Sequence, residues 1–419
     1  MTLFRLLDLI RRPDWLDRER AIAWGSVLLA MQLLLLVFIG LWQHGLFVAM
    51  AKPTSSDFVS FYAAGKLALA GTPALAYDQA AHHVAQSAAT EPGAPYQFFF
   101  YPPVFLILCS ALAAMPYPLA FAVFELTTLL LFVLIMRAVL RESGAGWVAP
   151  MLAFPPVFWT LGLGQNSFLT AALFGGFTLL VDRRPIGAGM LLGLLCYKPH
   201  FGLLAPVALL AGQRWRVMLA AAVSVGGLVL LSGVLFGWET WAAYLAAFAG
   251  SKAVYGSGRI DYAGMITLFG AARLLGFGNE PAYLLQCVMA ALMALLVVLI
   301  WRRIASLPLR AASLLTATLL AVPMALLYDK MLALVAVGWL LREARQSGFL
   351  SWEKAVLVLI YPLALLTWSI GTAWHIPLGP EISFAVLVLC LRRVWRALSE
   401  RGAGKGMTLG LPSWSPSPR

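Results

Sequence analysis

Asp57, in SSDFVSFYAAGKLALAG (55–71), stands beside Phe58, Phe61 and Tyr62. Apolar neighbours raise a carboxylate's proton affinity, which suits a general base acting on a hydroxyl. An aspartate near a helix start also caps it, so two readings compete. Lys198, in CYKPH (196–200), lies between two apolar stretches. A charge there is costly, and intramembrane ionisable groups default to function. A lysine, a helix restarted after Pro199 and His200 together make a phosphate site. A lysine snorkelling to an interface is the alternative. Asp329, in ALLYDKMLA with Tyr328, is likewise flanked by apolar sequence, and an Asp329–Lys330 pair at a turn would explain it blandly.

Weaker candidates are polar residues at apparent turns. Gln165 and Asn166, in GLGQNS (162–167), offer two amides suited to hydroxyl-rich ligands, although turn chemistry explains them equally. Asp78, in AYDQ, is a second loop carboxylate or the cap of a helix over 79–88. Tyr101 precedes Pro102-Pro103, which read as a rigid turn. His375 follows Trp374 at another turn, where a histidine is often merely solvated. Glu125, inside the apolar run 119–136, must face protein or water.

The elements that hold these residues follow from composition. Of 419 residues, 61% are hydrophobic and 11% charged, far more apolar than a soluble core requires. Uncharged runs such as 26–42 are continuous rather than alternating, so an all-α polytopic membrane protein is expected and a β-barrel is not. The expected count is about 12 transmembrane helices. In the span 101–136, the piece 119–136 is expected to cross and 102–115 to dip in or lie at the interface.

Arginines set the orientation. Basic residues cluster at 137–141, 182–184, 213–216, 301–310, 342–354 and after Leu391. Placing these inside puts the turns 162–167, 196–200, 327–330 and 372–381 together on the opposite side, with the long loop 43–101. This loop reads as short helices, the first capped by Ser55 or Ser56 and stopped at Gly71-Thr72-Pro73. Residues 1–21, rich in arginine, read as a cytoplasmic amphipathic segment. Residues 22–395 read as one transmembrane domain, and 396–419 as a disordered cytoplasmic tail.

Several chemistries are unsupported. The net charge of +12 follows the ends of apolar runs and does not indicate nucleic acid. Cys109, Cys196, Cys287 and Cys390 lie in apolar stretches without metal-ligand spacing. Phosphate-loop, dinucleotide-binding, HExxH and CxxC motifs are absent. No cofactor is called for, and use of a divalent metal stays open.

The ordered segments DFVSFYAAGKLALAGTPALAYD (57–78), YPPVFLIL (101–108), GQNSFLTAALF (164–174), KPHFGLLAPVALL (198–210) and VPMALLYDKMLAL (322–334) resemble glycosyltransferase family 87. These are polyprenyl-phosphate-mannose-dependent α-1,2-mannosyltransferase-like membrane proteins. The resemblance runs from about residue 20 to 395. It implies a GT-C fold, a lipid-phosphate sugar donor, and transfer on the outer, periplasmic face of the bacterial cytoplasmic membrane. It also implies inversion and an aspartate base in the first exterior loop, matched by Asp57. Lys198 and His200 would then meet the donor phosphate. Gln165, Asn166, Tyr101, Tyr328, Asp329, His375 and Asp78 would meet the sugar or a glycan or glycolipid acceptor. The chain departs from the family at His200, where many members carry glutamine, and at Tyr328-Asp329, near which some carry histidine. A transporter or flippase of lipid-linked saccharides is the competing reading. It would share a lipid cavity but need no fixed carboxylate in an exterior loop.

Overall fold

The computed structural model describes residues 11, 15–42, 56–91, 93–141 and 145–406. Every regular element there is helical, with one isolated antiparallel bridge between Met265 and Leu326. In chain order the α-helices are α1 (Arg18–Trp42), α2 (Phe58–Leu69), α3 (Gln79–Ser87), α4 (Val104–Ala113), α5 (Tyr117–Leu140), α6 (Val148–Leu152), α7 (Pro155–Leu163) and α8 (Ser167–Leu180). They continue with α9 (Pro185–Leu194), α10 (Ala205–Ala211), α11 (Trp215–Phe236), α12 (Trp238–Gly256), α13 (Leu268–Leu274), α14 (Asn279–Arg303), α15 (Leu307–Ala321), α16 (Met331–Ser347), α17 (Glu353–Trp374) and α18 (Glu381–Gly406).

Five of these, α1, α5, α11, α14 and α17, are long and apolar enough to cross a membrane among the described residues. That is fewer than the 12 spans expected. The difference lies in shorter apolar helices such as α4, α8, α9 and α15. A ten-residue helix such as α4 extends only about 15 Å, half a bilayer's hydrocarbon depth. The spans leave apolar faces uncovered: Leu34 on α1, Leu219 and Val234 on α11 and Leu284 on α14 are all more than 60% exposed. Such a surface is stable against lipid tails and not against water.

The core lies on the other faces. α15 and α16 are buried along most of their length, and Trp339 of α16 donates to Thr178 of α8 at 3.1 Å. α2 crosses α4 closely. A side chain on Gly65 would lie 2.1 Å from the Cys109 carbonyl oxygen, so the crossing tolerates no Cβ.

The arginine-rich turns meet one another. Asp182 accepts from Arg214 at 2.6 Å and Arg310 at 2.5 Å, joining three such turns. Arg342 donates to the Val139 carbonyl, and Arg345 lies over the Trp147 ring. Lys354 donates to the Leu16 carbonyl, bringing the amino-terminal segment to the same cluster. Glu353 and Arg393 form a buried pair beside it.

Two local expectations need correction. The first loop helix is not capped by Ser56, whose hydroxyl donates instead to Leu163 O at 3.2 Å, while Ser55 lies outside the described residues. The helix stop is as read, with Gly71 at φ +79°. At the carboxyl end α18 continues to Gly406, past the expected tail boundary at 396. Residues 43–55 of the first loop and those beyond 406 lie outside the described residues.

Candidate functional site

Three turns distant in sequence converge beside the start of α2. Asp57 is the residue preceding α2, yet its side chain makes no capping bond to that helix. Its Oδ2 accepts from Gln165 Nε2 at 2.6 Å, across 108 residues. The backbone is tied at the same point, with Asp57 N donating to Leu163 O at 2.8 Å. Of the two readings of Asp57, the cap is therefore the one that fails. Its carboxyl is held by the 162–167 turn and not by its own helix.

Gly164 makes this contact possible. It ends α7 in the left-handed region at φ +67°. A Cβ there would lie 2.6 Å from Phe58 Cβ. Glycine both turns the chain and lets the 162–167 tip lie against the start of α2. Asn166 then sits at the start of α8, fully buried, with neither amide atom hydrogen-bonded. It is close enough to Tyr101 to bear on that hydroxyl, without closing a hydrogen bond. Buried amides without partners are uncommon in folded proteins, and a polar ligand is one way to satisfy them.

The second turn carries Lys198. The chain passes from α9 through a 3₁₀ turn (Leu195–Tyr197) and a second one (Pro199–Gly202), and α10 begins only at Ala205. The helix restart expected immediately after Pro199 is thus a tight 3₁₀ turn, and α10 is a seven-residue helix too short and too late to aim its amino terminus at Lys198. Lys198 itself is 4% exposed. Its Nζ donates to Asp329 Oδ1 at 2.9 Å and lies 5.5 Å and 5.6 Å from the Phe201 and Tyr328 ring centres.

The third turn, Leu327–Lys330, is also 3₁₀. Asp329 Oδ1 accepts from Ser167 Oγ at 3.1 Å as well as from Lys198, and Oδ2 accepts from the Leu326 amide at 3.0 Å. Its partner is Lys198, not the adjacent Lys330 that a bland turn pair would use. Lys330 turns away to Glu381 Oε1 at 2.8 Å and Thr367 Oγ1 at 3.0 Å. Both oxygens of Asp329 are thus engaged, Oδ1 with Ser167 and Lys198 and Oδ2 with the Leu326 amide.

Electrostatics joins the two halves. Burial pushes the Asp57 carboxyl up from 3.8 to about 6, against the Gln165 hydrogen bond and the Lys198 charge, which pull it down. Such a carboxylate takes a proton near neutral pH more readily than an exposed one and still ionises there. Tyr328 lies within electrostatic reach of Asp57 and Asp329, and His200 within reach of Lys198 and Asp329. Tyr101, Gln165, Asn166, Lys198, His200, Tyr328 and Asp329 therefore share one neighbourhood with Asp57.

Three candidates stand apart. Asp78 is an exposed cap: its carboxylate accepts from Ala81 N at 2.8 Å at the start of α3. His375 ends α17 in the left-handed region and is exposed, with no contact to the cluster among the described residues. Glu125 is buried on α5 with both carboxylate oxygens lacking a hydrogen bond, and nothing described links it to the cluster. No group of three or more His, Cys, Asp or Glu gathers as a metal site among the described residues.

Sequence reasoning missed two sets of residues. Ser167 and Tyr197 join the site, the latter through Thr170 Oγ1 at 2.7 Å. The Lys330–Glu381 pair supports the third turn from behind. Buried lysine beside an otherwise apolar run was the available signal for the second set; nothing local marked Ser167.

Two cavities border this neighbourhood. One, of about 340 Å³, is lined by apolar side chains of α4, α8, α9 and α11, including Phe105 and Leu173, and reaches Tyr197. The other, of about 150 Å³, lies between residues 96–100 and α12. The family model described as glycosyltransferase family 87 matches residues 99–325, more than half of the chain. The matched span includes Tyr101, Gln165, Asn166, Lys198 and His200; Tyr328 and Asp329 lie just past its end, and Asp57 lies well before its start. No curated protein and no solved structure matches the chain.

Proposed function

Because the chain belongs to glycosyltransferase family 87, we propose that it transfers a sugar from a polyprenyl-phosphate donor to an acceptor hydroxyl, with Asp57 as general base. One observation carries the assignment of the base. Asp57 heads a helix that it does not cap, and is held instead by Gln165 at 2.6 Å within reach of Lys198.

The chemistry follows from these positions. The acceptor oxygen attacks the anomeric carbon and loses its proton to Asp57. The bond from that carbon to the phosphate oxygen breaks, and the lipid phosphate leaves. Attack opposite the leaving group inverts the anomeric centre, so a β-linked donor yields an α-glycoside. The donor is a phosphodiester with one negative charge and the departing lipid monoester gains a second. Stabilising charge that develops during reaction is the larger part of such catalysis. Lys198 is the cation in place to do so, with His200 beside it. Asp329 and Ser167 keep the lysine from swinging away. Asn166, with its unpaired amide, binds sugar hydroxyls together with Gln165, Tyr101 and Tyr328.

The apolar cavity between α4, α8, α9 and α11 suits the first isoprene units of the donor, since its wall leads from hydrocarbon-facing α11 to Tyr197 beside Lys198. The chain then works with its polar turns on the outer face of the cytoplasmic membrane and its arginine cluster inside, as the charge bias requires. Purified protein given polyprenyl-phosphate mannose and related lipid-phosphate sugars tests this reading. Release of polyprenyl phosphate with formation of a new glycoside supports it, and an intact donor under all acceptors tried contradicts it.

A further inference from the structure

α12 (Trp238–Gly256) follows the spanning helix α11 across a single residue, Gly237, whose φ of +80° turns the chain sharply. A Cβ there would collide with the Glu239 carboxylate, so the corner requires glycine. The two helices meet at that corner. The Trp238 ring lies against Gly233, Trp241 Nε1 donates to Ser232 Oγ at 3.2 Å, and Thr240 donates to the Phe236 carbonyl at 2.6 Å. Beyond it α12 packs chiefly on the 3₁₀ turn Pro73–Tyr77. A helix of 19 residues, about 28 Å long, thus leaves α11 rather than running back along it. Nor is α12 among the described helices long and apolar enough to cross a membrane.

Its two faces reverse those of a surface helix in water. Trp238, Leu245 and Phe248 are each more than half exposed, and Ala242, Ala249 and Ala253 on the same side are exposed with them. Glu239, in the first turn, is the one charged residue exposed along the helix among the described side chains. The buried face carries Thr240, Tyr244 and Ser251. Ser251 donates to the Phe248 carbonyl at 2.7 Å, and the Tyr244 ring packs on Tyr77 at 5.6 Å. A helix bordered by water turns its apolar stripe inward and its polar residues outward. Here the hydroxyls point in and the carbon points out, a patch that a water-exposed surface avoids.

What covers this patch follows from its continuity with α11. The last turns of α11 expose Val234 and Leu235, on a helix whose outer face is stable only against lipid. Trp238 stands at the junction, and tryptophan favours the boundary between acyl chains and headgroups. Past the end of α12 the chain becomes charged, with Arg259 and Asp261 exposed.

We propose that α12 lies flat in the interfacial layer of the bilayer, with Trp238, Leu245 and Phe248 in the acyl boundary and its hydroxyl-bearing face on the protein. Its partner is the lipid surface itself. The consequence is a depth for the site. Tyr255, in the last turn of α12, lies within electrostatic reach of Asp329 and Tyr328. Tyr77, under Tyr244, donates to the Tyr101 carbonyl at 2.9 Å. The polar turns are therefore held near the level of the headgroups. This bears on catalysis only through the transferase reading, under which a lipid-borne phosphate meets Lys198 without leaving its own depth in the membrane. The placement of α12 stands apart from that reading.

The test uses the full chain in phospholipid nanodiscs. Spin labels at Leu245→Cys and Phe248→Cys are read by collision with oxygen and with a water-soluble nickel chelate, in a Cys287→Ala background that removes the exposed native thiol. Val223→Cys, on the exposed face of α11, is the hydrocarbon reference, and Ser257→Cys, exposed just past α12, is the water reference. Both test labels are expected about 5–10 Å below the lipid phosphates. Labels as open to nickel as Ser257→Cys would place the helix in water. Labels as deep as Val223→Cys would make it a spanning segment, and labels shielded from both reagents would put a second copy on the face. Each of these overturns the proposal. The wild-type protein gives a check without substitutions: lipid with a diazirine near the acyl carbonyl should crosslink to 238–253, and adducts on α11 with none on α12 would also overturn it. Sugar transfer by the same preparations is scored separately. Transfer with α12 in water defeats the placement alone, and α12 in lipid without transfer defeats the transferase reading alone.

Discussion

Gln165 Nε2 lies 2.6 Å from Asp57 Oδ2, and the glycine beside Gln165 is what lets the two turns meet. The amide favours the charged carboxylate, while burial opposes it and wins, leaving the group at about 6. A base must be ionised to act. Activity should therefore rise with pH through about 6 and level off above it, falling about tenfold per unit well below. In Gln165→Ala the carboxylate loses a donor, so the rising limb moves to higher pH. The kcat/KM profile checks this. A limb that stays in place while activity drops uniformly would make Gln165 a structural residue only.

Lys198 and Asp329 form a buried pair, each side chain 5% exposed. Removing one partner strands the other, at about 3–5 kcal/mol of stability. Lys198→Met should thus lower thermal stability and weaken donor binding. The double variant Lys198→Met/Asp329→Asn should recover most of the stability but not the donor affinity, which should stay down about 30-fold or more. Differential scanning calorimetry and titration with a non-transferable polyprenyl-phosphate sugar separate the two effects. Recovery of donor affinity in the double variant would remove Lys198 from the phosphate site.

Gly164→Ala should cost about 1–2 kcal/mol for the left-handed backbone, with further loss from the contact at Phe58. Because the tip carries Gln165 and Asn166, transfer should fall more than stability does. Melting temperature and rate measured on one preparation test it; a loss of stability with full activity would show that the tip need not be seated.

The membrane class and the convergence of the polar turns that carry Gln165, Lys198 and Asp329 were legible in the sequence for physical reasons. Arginines mark one end of the helices, so the remaining polar turns must share the other. What charge bias does not encode is length against depth. Helices such as α4 and α15 are apolar yet short and largely buried in protein, so hydropathy alone does not separate a crossing from a core helix. Pairing across long separation is equally silent: nothing near Asp329 says that it chooses Lys198 over its neighbour Lys330. Asp78 and His375 show the opposite error, since polar residues at turns are common for capping and solvation alone.

Lys330 and Glu381 sit behind the site, joined at 2.8 Å, with the lysine 1% exposed. They brace the turn that presents Tyr328 and Asp329. Lys330→Met should destabilise the protein by about 3 kcal/mol or more and lower kcat with donor affinity changed less. Chemical denaturation together with steady-state kinetics measures both. Unchanged kcat in a destabilised protein would confine the pair to folding.

The central claim is that Asp57 removes the acceptor's proton. The most direct measurement is transfer by purified wild-type and Asp57→Asn protein from polyprenyl-phosphate mannose to a glycosylated acceptor, with donor binding measured alongside. The expected result is a fall in kcat of about 10²–10⁴-fold at unchanged donor affinity. Transfer by Asp57→Asn at the wild-type rate would contradict it.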